Sequence, residues 1–542
     1  MKISGASAII RSLEKENIDV IFGYPGAAIC PFYDALLDSS IRHILTRNEQ
    51  GAAHAANGYA RATGKTGVCV ATSGPGATNL ITGIATAYMD SIPIVAITGQ
   101  VSTELIGRDV FQEADITGAT APFCKHNYLV KNAKKLPHII KEAFHIASTG
   151  RPGPVLIDVP IDVQTTEIEF NYPETIEIRG YKPNYKGHPM QIKRAAEEIS
   201  KAQAPVICAG GGIVNAEASA ELLEFAEKCC IPVTTTLMGK GAIPSQHRLN
   251  LGMLGSHGSP VANYAVNNAD LLILLGARVG DRAIAATQKI AKKAKIIHID
   301  IDPAEIGKNI GVTVPIVGDV KNVLRDLNSI VEKGNVDEWN LKIQSFKSKH
   351  TVSYKDVNED DTVKPKYMLS LLSEMVPDST IVTTEVGQNQ IWAANHFDVN
   401  RPRTFITSGG MGTMGYGLPS AIGAKIGNPE STVITISGDG SFQMSLQELG
   451  TIKQYKLGVK VVIFNNSRLG MVRELQRTKY CGRYSQVFLE NNPDFVNLFG
   501  AYGFKGERVE NNSQVRGAIE RMLSSDEPYL LDCVVDPEEP TL

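Results

Sequence analysis

Short apolar, β-branched runs alternate with longer stretches of helical periodicity along nearly the whole chain. Val68-Cys69-Val70-Ala71, Pro205-Val206-Ile207-Cys208-Ala209, Thr380-Ile381-Val382-Thr383, Thr432-Val433-Ile434-Thr435-Ile436 and Val459-Lys460-Val461-Val462-Ile463-Phe464 read as buried strands. Leu446 to Lys456 has helical character between the last two. Ala6, Ile9, Ile10 and Leu13 space out a helix almost from the first residue, with no signal or transit pattern before it. Such alternation predicts parallel sheets covered by helices. The expected fold is α/β, with three doubly wound parallel-sheet domains.

Two stretches break the alternation. Residues 165–190 are poor in apolar periodicity, and Lys333 to Pro365 is rich in charge and without strand patterns. Read as linkers, they leave domains at 1–165, 190–335 and 365–542. A chain of 542 residues is indeed too long for one core. Composition adds exclusions. A net charge of -3 gives no sign of nucleic-acid or membrane-surface binding, and no run of about 18 apolar residues suggests a membrane span. The 8 cysteines show no Cys-x-x-Cys spacing. Cys69, Cys208 and Cys533 lie in apolar runs, so buried thiols and a cytoplasmic setting are expected.

The chemistry concentrates at two strand ends. Gly438-Asp439-Gly440 closes one strand and Asn465-Asn466 the next, with residues 441–464 between them. Each alone is an ordinary turn. Together they put an anionic and an amide oxygen at the carboxyl ends of neighbouring parallel strands, where open α/β sheets bind ligands. Hard oxygen donors suit Mg²⁺ shared with a diphosphate.

That spacing is the thiamine diphosphate fingerprint, and the surrounding chain resembles the acetohydroxyacid (acetolactate) synthase catalytic subunits. The resemblance is carried by Ile21-Phe22-Gly23-Tyr24-Pro25-Gly26, Arg47-Asn48-Glu49-Gln50, Thr72-Ser73-Gly74-Pro75-Gly76-Ala77-Thr78-Asn79, Phe111-Gln112-Glu113, Gly409-Gly410-Met411-Gly412-Thr413-Met414-Gly415 and Asn466-Ser467-Arg468-Leu469-Gly470-Met471-Val472. It implies an enzyme that decarboxylates pyruvate on thiamine diphosphate and ligates the two-carbon unit to a second 2-oxo acid, in branched-chain amino acid synthesis. Another 2-oxo acid decarboxylase or oxidase of this cofactor class, or a catabolic acetolactate synthase, is the alternative.

By that resemblance Glu49 is the carboxylate that meets the aminopyrimidine ring. On residue type alone it is equally an acidic group favouring a helix start. Gln112 and Gly26 face the reacting centre, and Lys125 lies at the substrate entrance from the neighbouring subunit. Pro75, Asn79, Val386, Gly387, Gln388, Asn389, Gly412, Met414, Gly438, Gly440, Ser441, Leu469, Gly470 and Met471 join Glu49, Asp439 and Asn466 around thiamine diphosphate. Asp439, Asn466 and the main-chain oxygen of Arg468 hold Mg²⁺. The resemblance also implies a homodimer or tetramer with the active site between subunits, and a small regulatory subunit as partner.

For the middle domain it implies FAD as a structural element. The strand at Pro205 runs into Gly210-Gly211-Gly212, which is not Gly-x-Gly-x-x-Gly. The implied contacts are those glycines with Arg151, Thr236, Leu237, Gly255, His257, Gly276, Arg278, Arg282, Asp300, Ile301, Asp319 and Val320. Several positions depart from the family pattern. Val279-Gly280-Asp281-Arg282 replaces Phe-Asp-Asp-Arg, and Asn389 stands where histidine is frequent. Leu475 replaces a tryptophan that favours 2-oxobutyrate, and Ala27 replaces a glycine, so two pyruvates, or pyruvate with another acceptor, are the hinted substrates. The chain ends at Asp536 to Leu542 where the family continues into a covering tail, which implies a more open site.

Overall fold

The computed structural model describes residues 2–283, 293–350 and 357–542. The chain builds three six-stranded sheets, each parallel throughout. The first runs Arg42–Leu45, Val20–Gly23, Gly67–Ala71, Ile94–Gln100, Pro154–Pro160, His126–Leu129. The last runs Phe405–Ile406, Ile381–Thr384, Val433–Gly438, Val459–Asn465, Tyr529–Val534, Lys505–Val509. Counted by appearance within each domain, both sheets have the order second, first, third, fourth, sixth, fifth. The middle sheet differs: Asn250–Met253, Val233–Thr235, Pro205–Ala209, Leu271–Leu275, Lys295–Asp300, Val314–Val317. Its order is third, second, first, fourth, fifth, sixth, the arrangement associated with dinucleotide binding. The central strands of all three sheets are buried along their length, which is why they read as continuous apolar runs rather than alternating ones.

The two outer domains share one core. Helix Glu49–Thr63 packs on helix Gly417–Gly427, with Ala52, Tyr59, Tyr416, Leu418 and Phe442 in a single apolar cluster. The small residues of both helices explain the close crossing. A Cβ at Gly423 would lie 1.8 Å from the Ala55 carbonyl oxygen.

Both expected linkers carry structure. Glu167–Glu169 pairs antiparallel with Lys2–Ser4, tying the start of the chain to the segment leaving the first domain. Helix Asp337–Lys349 buries Trp339 and Ile343 against the middle domain, and the Trp339 indole donates to the Pro205 carbonyl at 3.1 Å. Its charged outer face hides this packing from a composition-based reading. Residues 351–356 of that stretch lie outside the described residues. Cys69, Cys208 and Cys533 are buried free thiols, and burial pushes their pKa values up. Among the described residues no helix is long and apolar enough to cross a membrane.

Candidate active site

In the last domain three strands end side by side. Ile381–Thr384 leads through Glu385-Val386-Gly387 into helix Gln388–His396, Val433–Gly438 leads to Asp439, and Val459–Asn465 leads to Asn466. Asp439 is 1% exposed, and burial pushes its pKa up to about 6. Its Oδ2 accepts from Asn492 Nδ2 at 2.6 Å. Asn466 Nδ2 donates to Gln388 Oε1 at 3.1 Å, while its Oδ1 accepts the Arg468 N–H at 3.1 Å. Asn389 is buried beside Gly438, and its Oδ1 has no partner. An orphaned amide oxygen at a ring of strand-end loops is an acceptor that a bound hydrogen-bond donor would satisfy, while the amide N–H groups of Asn389 can donate to an anion. Among the described residues no group of three or more His, Cys, Asp and Glu is placed for a metal. A cation here would therefore take Asp439, the Asn466 amide oxygen, a main-chain oxygen and the ligand's own oxygens. That donor set fits Mg²⁺ with a diphosphate.

The loop carrying Gly412 and Met414 hangs from buried carboxylates. Glu385 accepts the N–H groups of Gly415 at 2.7 Å and Gly417 at 2.8 Å, and burial pushes its pKa up to about 7. Asp90 of the first domain accepts those of Gly409 at 3.2 Å and Gly410 at 2.7 Å. Arg61 stands 3.7 Å from the Asp90 carboxylate.

In the first domain Glu49 opens its helix behind the Asn48 cap, and Asn79 Nδ2 donates to its Oε2 at 2.9 Å. The segment Ser73–Asn79 brings Gly76 beside it too, where a Cβ would lie 3.3 Å from Glu49 Oε1. Gly74 needs its positive φ of 57°, and a Cβ there would lie 2.9 Å from the Gln112 carbonyl oxygen. Gly26 meets the same strand ends, with Thr72 Cγ2 2.4 Å from its ideal Cβ. Glu49 is half-buried, whereas Pro75 and Asn79 are exposed. Phe111, Met411 and Met444 are exposed too.

At the junction of the three domains lies a cavity of about 520 Å³. Of the residues expected to touch FAD, all but Gly210 and Gly255 line it. It occupies the carboxyl ends of strands Pro205–Ala209 and Leu271–Leu275, where the middle sheet's strand order reverses. Arg278 and Arg151 supply positive charge, and burial pushes Asp300 up to about 6. Met89, Leu237, Met238 and Ile391 supply apolar wall. Cations, a strand-end carboxylate and an apolar side fit a dinucleotide with an aromatic ring.

Three families match the chain in order. Residues 3–119 match the thiamine pyrophosphate enzyme N-terminal TPP binding domain, 192–327 the central domain, and 385–533 the C-terminal TPP binding domain. A Methanocaldococcus jannaschii protein named probable acetolactate synthase large subunit is 51% identical over 99% of this chain and 93% of its own length. The chain belongs to the acetolactate synthase large-subunit family. The Mycobacterium tuberculosis acetolactate synthase large subunit IlvB1 is 47% identical over 98% of this chain and 88% of its own. The Corynebacterium glutamicum acetolactate synthase large subunit is 47% identical over 98% and 87%.

Other residues implied by the resemblance have partners that their types did not announce. Lys125, expected at a substrate entrance from the neighbouring subunit, is tied down within its own domain. Its Nζ donates to Ile146 O, to Thr149 O at 2.7 Å and to Tyr181 OH at 3.0 Å, which uses all three of its donors at the end of helix Leu136–Ser148. A charged side chain near a helix carboxyl terminus is drawn to the unpaired carbonyls there. Gly210 and Gly255 are packing glycines, with Cβ positions 2.2 Å from Gly276 O and Arg282 O. Asp319 caps helix Val320–Ile330 through the Asn322 N–H, and Arg282 stands 83% exposed at the cavity mouth. Residues 539–541 brace the start of helix Gln388–His396. Gln388 Nε2 donates to Glu539 O at 3.2 Å and Thr541 Oγ1 at 3.1 Å. Sequence reasoning assigned no role to Glu385, Asp90 or Asn492. Asn492 in particular follows no motif, and only folding brings it to Asp439.

Proposed function

We propose that this chain is the catalytic subunit of an acetolactate synthase. It would take pyruvate, release CO₂ and join the remaining two-carbon unit to a second 2-oxo acid. The observation that carries the reading is the division of labour between strand-end loops: a carboxylate, Glu49, held by Asn79 in one domain, and Asp439 with Asn466 in the other. When bound, thiamine diphosphate supplies an acidic thiazolium carbon and an electron sink. Glu49 would hold the proton exchanged with the cofactor's aminopyrimidine ring. Asp439, Asn466 and the Arg468 carbonyl would hold Mg²⁺ and through it the diphosphate, while Val386, Gly387, Gln388 and Asn389 would meet the diphosphate oxygens. The Glu385-held loop would press Met414 against the cofactor. Gln112 and neighbouring backbone donors would stabilise the developing alkoxide in a site from which water is excluded.

One chain leaves Glu49 half-buried and Pro75 and Asn79 exposed, and it also exposes Phe111, Met411 and Met444. A second copy covering this face would complete the site, giving a homodimer or a tetramer of two such pairs. The relatives' large-subunit names imply a smaller regulatory partner. The junction cavity would hold FAD, with Arg278 and Arg151 on the diphosphate and Asp300 on a ribose. A biosynthetic enzyme of this kind works in the cytoplasm.

Turnover with pyruvate tests the activity. Acetolactate is the expected product; acetaldehyde or acetyl phosphate alone would refute it. Competition between pyruvate and 2-oxobutyrate reads the effect of Leu475, which is 44% exposed on helix Gly470–Lys479. Denaturing the same preparation should release flavin, and a colourless protein would remove FAD from the proposal.

A further inference from the structure

We propose that Glu448 is a positioning residue for Glu49, fixing from the opposite domain the turn out of which Glu49 projects. The inference rests on the reading of Glu49 as the cofactor-facing carboxylate.

Strand Arg42–Leu45 turns through Thr46, Arg47 and Asn48 into helix Glu49–Thr63. Glu448 reaches this turn from 401 positions away and is 0% exposed. Its Oε1 accepts the Arg47 N–H at 3.0 Å, and its Oε2 accepts from Thr451 Oγ1 at 2.6 Å. It also fills the space over the first helical turn, since a Cβ at Gly51 would lie 2.5 Å from Oε1. The clasp is reciprocal. The Arg47 guanidinium donates to Gly450 O at 3.2 Å and to Gln454 Oε1 at 2.8 Å, and the Leu45 N–H donates to Tyr455 OH at 2.8 Å.

A buried carboxylate is costly unless hydrogen bonds compensate it. Burial pushes the Glu448 pKa up, while Thr451, the Arg47 N–H and the Arg47 charge oppose that rise. A negative group at a helix amino terminus is also favoured by the helix dipole. Within the turn itself, the Asn48 side chain accepts the Gln50 N–H at 2.7 Å and Thr46 Oγ1 donates to Asn48 O at 3.0 Å. A catalytic carboxylate at the first residue of a helix inherits every tilt of that entry. A displacement of about 1 Å can cost on the order of 100-fold in rate.

The test uses the holoenzyme with saturating Mg²⁺ and thiamine diphosphate. It reads kcat, the cofactor's Kd, and deuterium exchange at the thiazolium carbon. Glu448→Ala should slow exchange and kcat together by about 10–100-fold, with the Kd unchanged. Glu448→Gln keeps an acceptor for Arg47 and should recover most of both. Gly51→Ala pushes the carboxylate aside and should lower the thermal midpoint and the exchange rate. Adding Glu448→Ala to Gly51→Ala removes the clash and should restore the midpoint while exchange stays slow. Should Glu448→Ala alone be insoluble, that double variant, whose new methyl fills vacated volume, carries the same reading. Parental exchange in the alanine variants would overturn the proposal, as would a kcat loss traced wholly to cofactor affinity. Glu49→Gln separates the two claims. Slow exchange there with parental exchange in Glu448→Ala would sink only the positioning role.

Discussion

The two outer domains share a strand order but use their strand ends differently. In the carboxyl-terminal domain the site is enclosed and internally paired: Asp439 is 1% exposed and held by Asn492, and Asn466 is held by Gln388. In the amino-terminal domain Glu49 has one side-chain partner, Asn79, and is half open to solvent. Behind each site stands a buried carboxylate. Glu385 holds the Met414 loop, and Asp158 accepts from Thr98 Oγ1 at 2.7 Å and Gln100 Nε2 at 3.0 Å. Gln100 in turn donates to Ala114 O at 2.8 Å, two residues past Gln112. On the proposed roles, one topology carries an anchor in one domain and a reactive group in the other. An anchor gains from enclosure, because its charge must meet a metal in a dry, fixed place. A proton-exchanging group must stay reachable, so its surroundings are left for another surface to complete.

The largest effect should come from breaking the reactive half. Glu49→Gln should lower turnover by about 10²–10⁴-fold, while calorimetry shows Mg²⁺ and thiamine diphosphate still bound. Loss of cofactor binding instead would mean that Glu49 belongs to the anchor. Breaking the anchor's support comes next. Asn492→Ala frees Asp439 to reorient and should weaken Mg²⁺ binding by about 10–100-fold, read by metal titration, with kcat near parental at saturating metal.

The paired carboxylates sharpen the comparison through pH. Burial raises Glu385 from 4.5 to about 7 and Asp158 from 3.8 to about 7. Between those values the native protein binds more protons than the unfolded chain, so stability falls as pH rises. Thermal midpoints of Glu385→Gln and Asp158→Asn should gain on the parent from about pH 4 to about pH 7, then run parallel above it. Parallel curves throughout would show that neither group holds its proton. The smallest effect concerns Lys125. Lys125→Met should cost about 1.5–3 kcal/mol in denaturant unfolding and leave the pyruvate KM unchanged. A raised KM would return Lys125 to the substrate entrance.

Legibility in the sequence followed the length scale of each contact. The Asp439 and Asn466 pair was readable because each ends an apolar run, and strand ends in a parallel sheet are neighbours by construction. Glu49 marked a helix start, although the partner helix at Gly417 was not foreseeable. The partners of Lys125 were not legible, because a lysine's type does not say which carbonyls will take its donors. The Trp339 helix was hidden by a charged outer face.

The periodicity alone determined three layered α/β units, and the spaced glycine, aspartate and asparagine motif determined that Asp439 and Asn466 end neighbouring strands, because both depend on neighbours within one or two strands. The tertiary structure decided the rest. It set Asn492 on Asp439, Asp90 on the Gly409–Gly410 backbone and Glu448 on the turn before Glu49, across separations of 53, 320 and 401 residues. Such contacts have no local signature, because a buried hydrogen bond constrains only two groups in space and leaves the chain between them free.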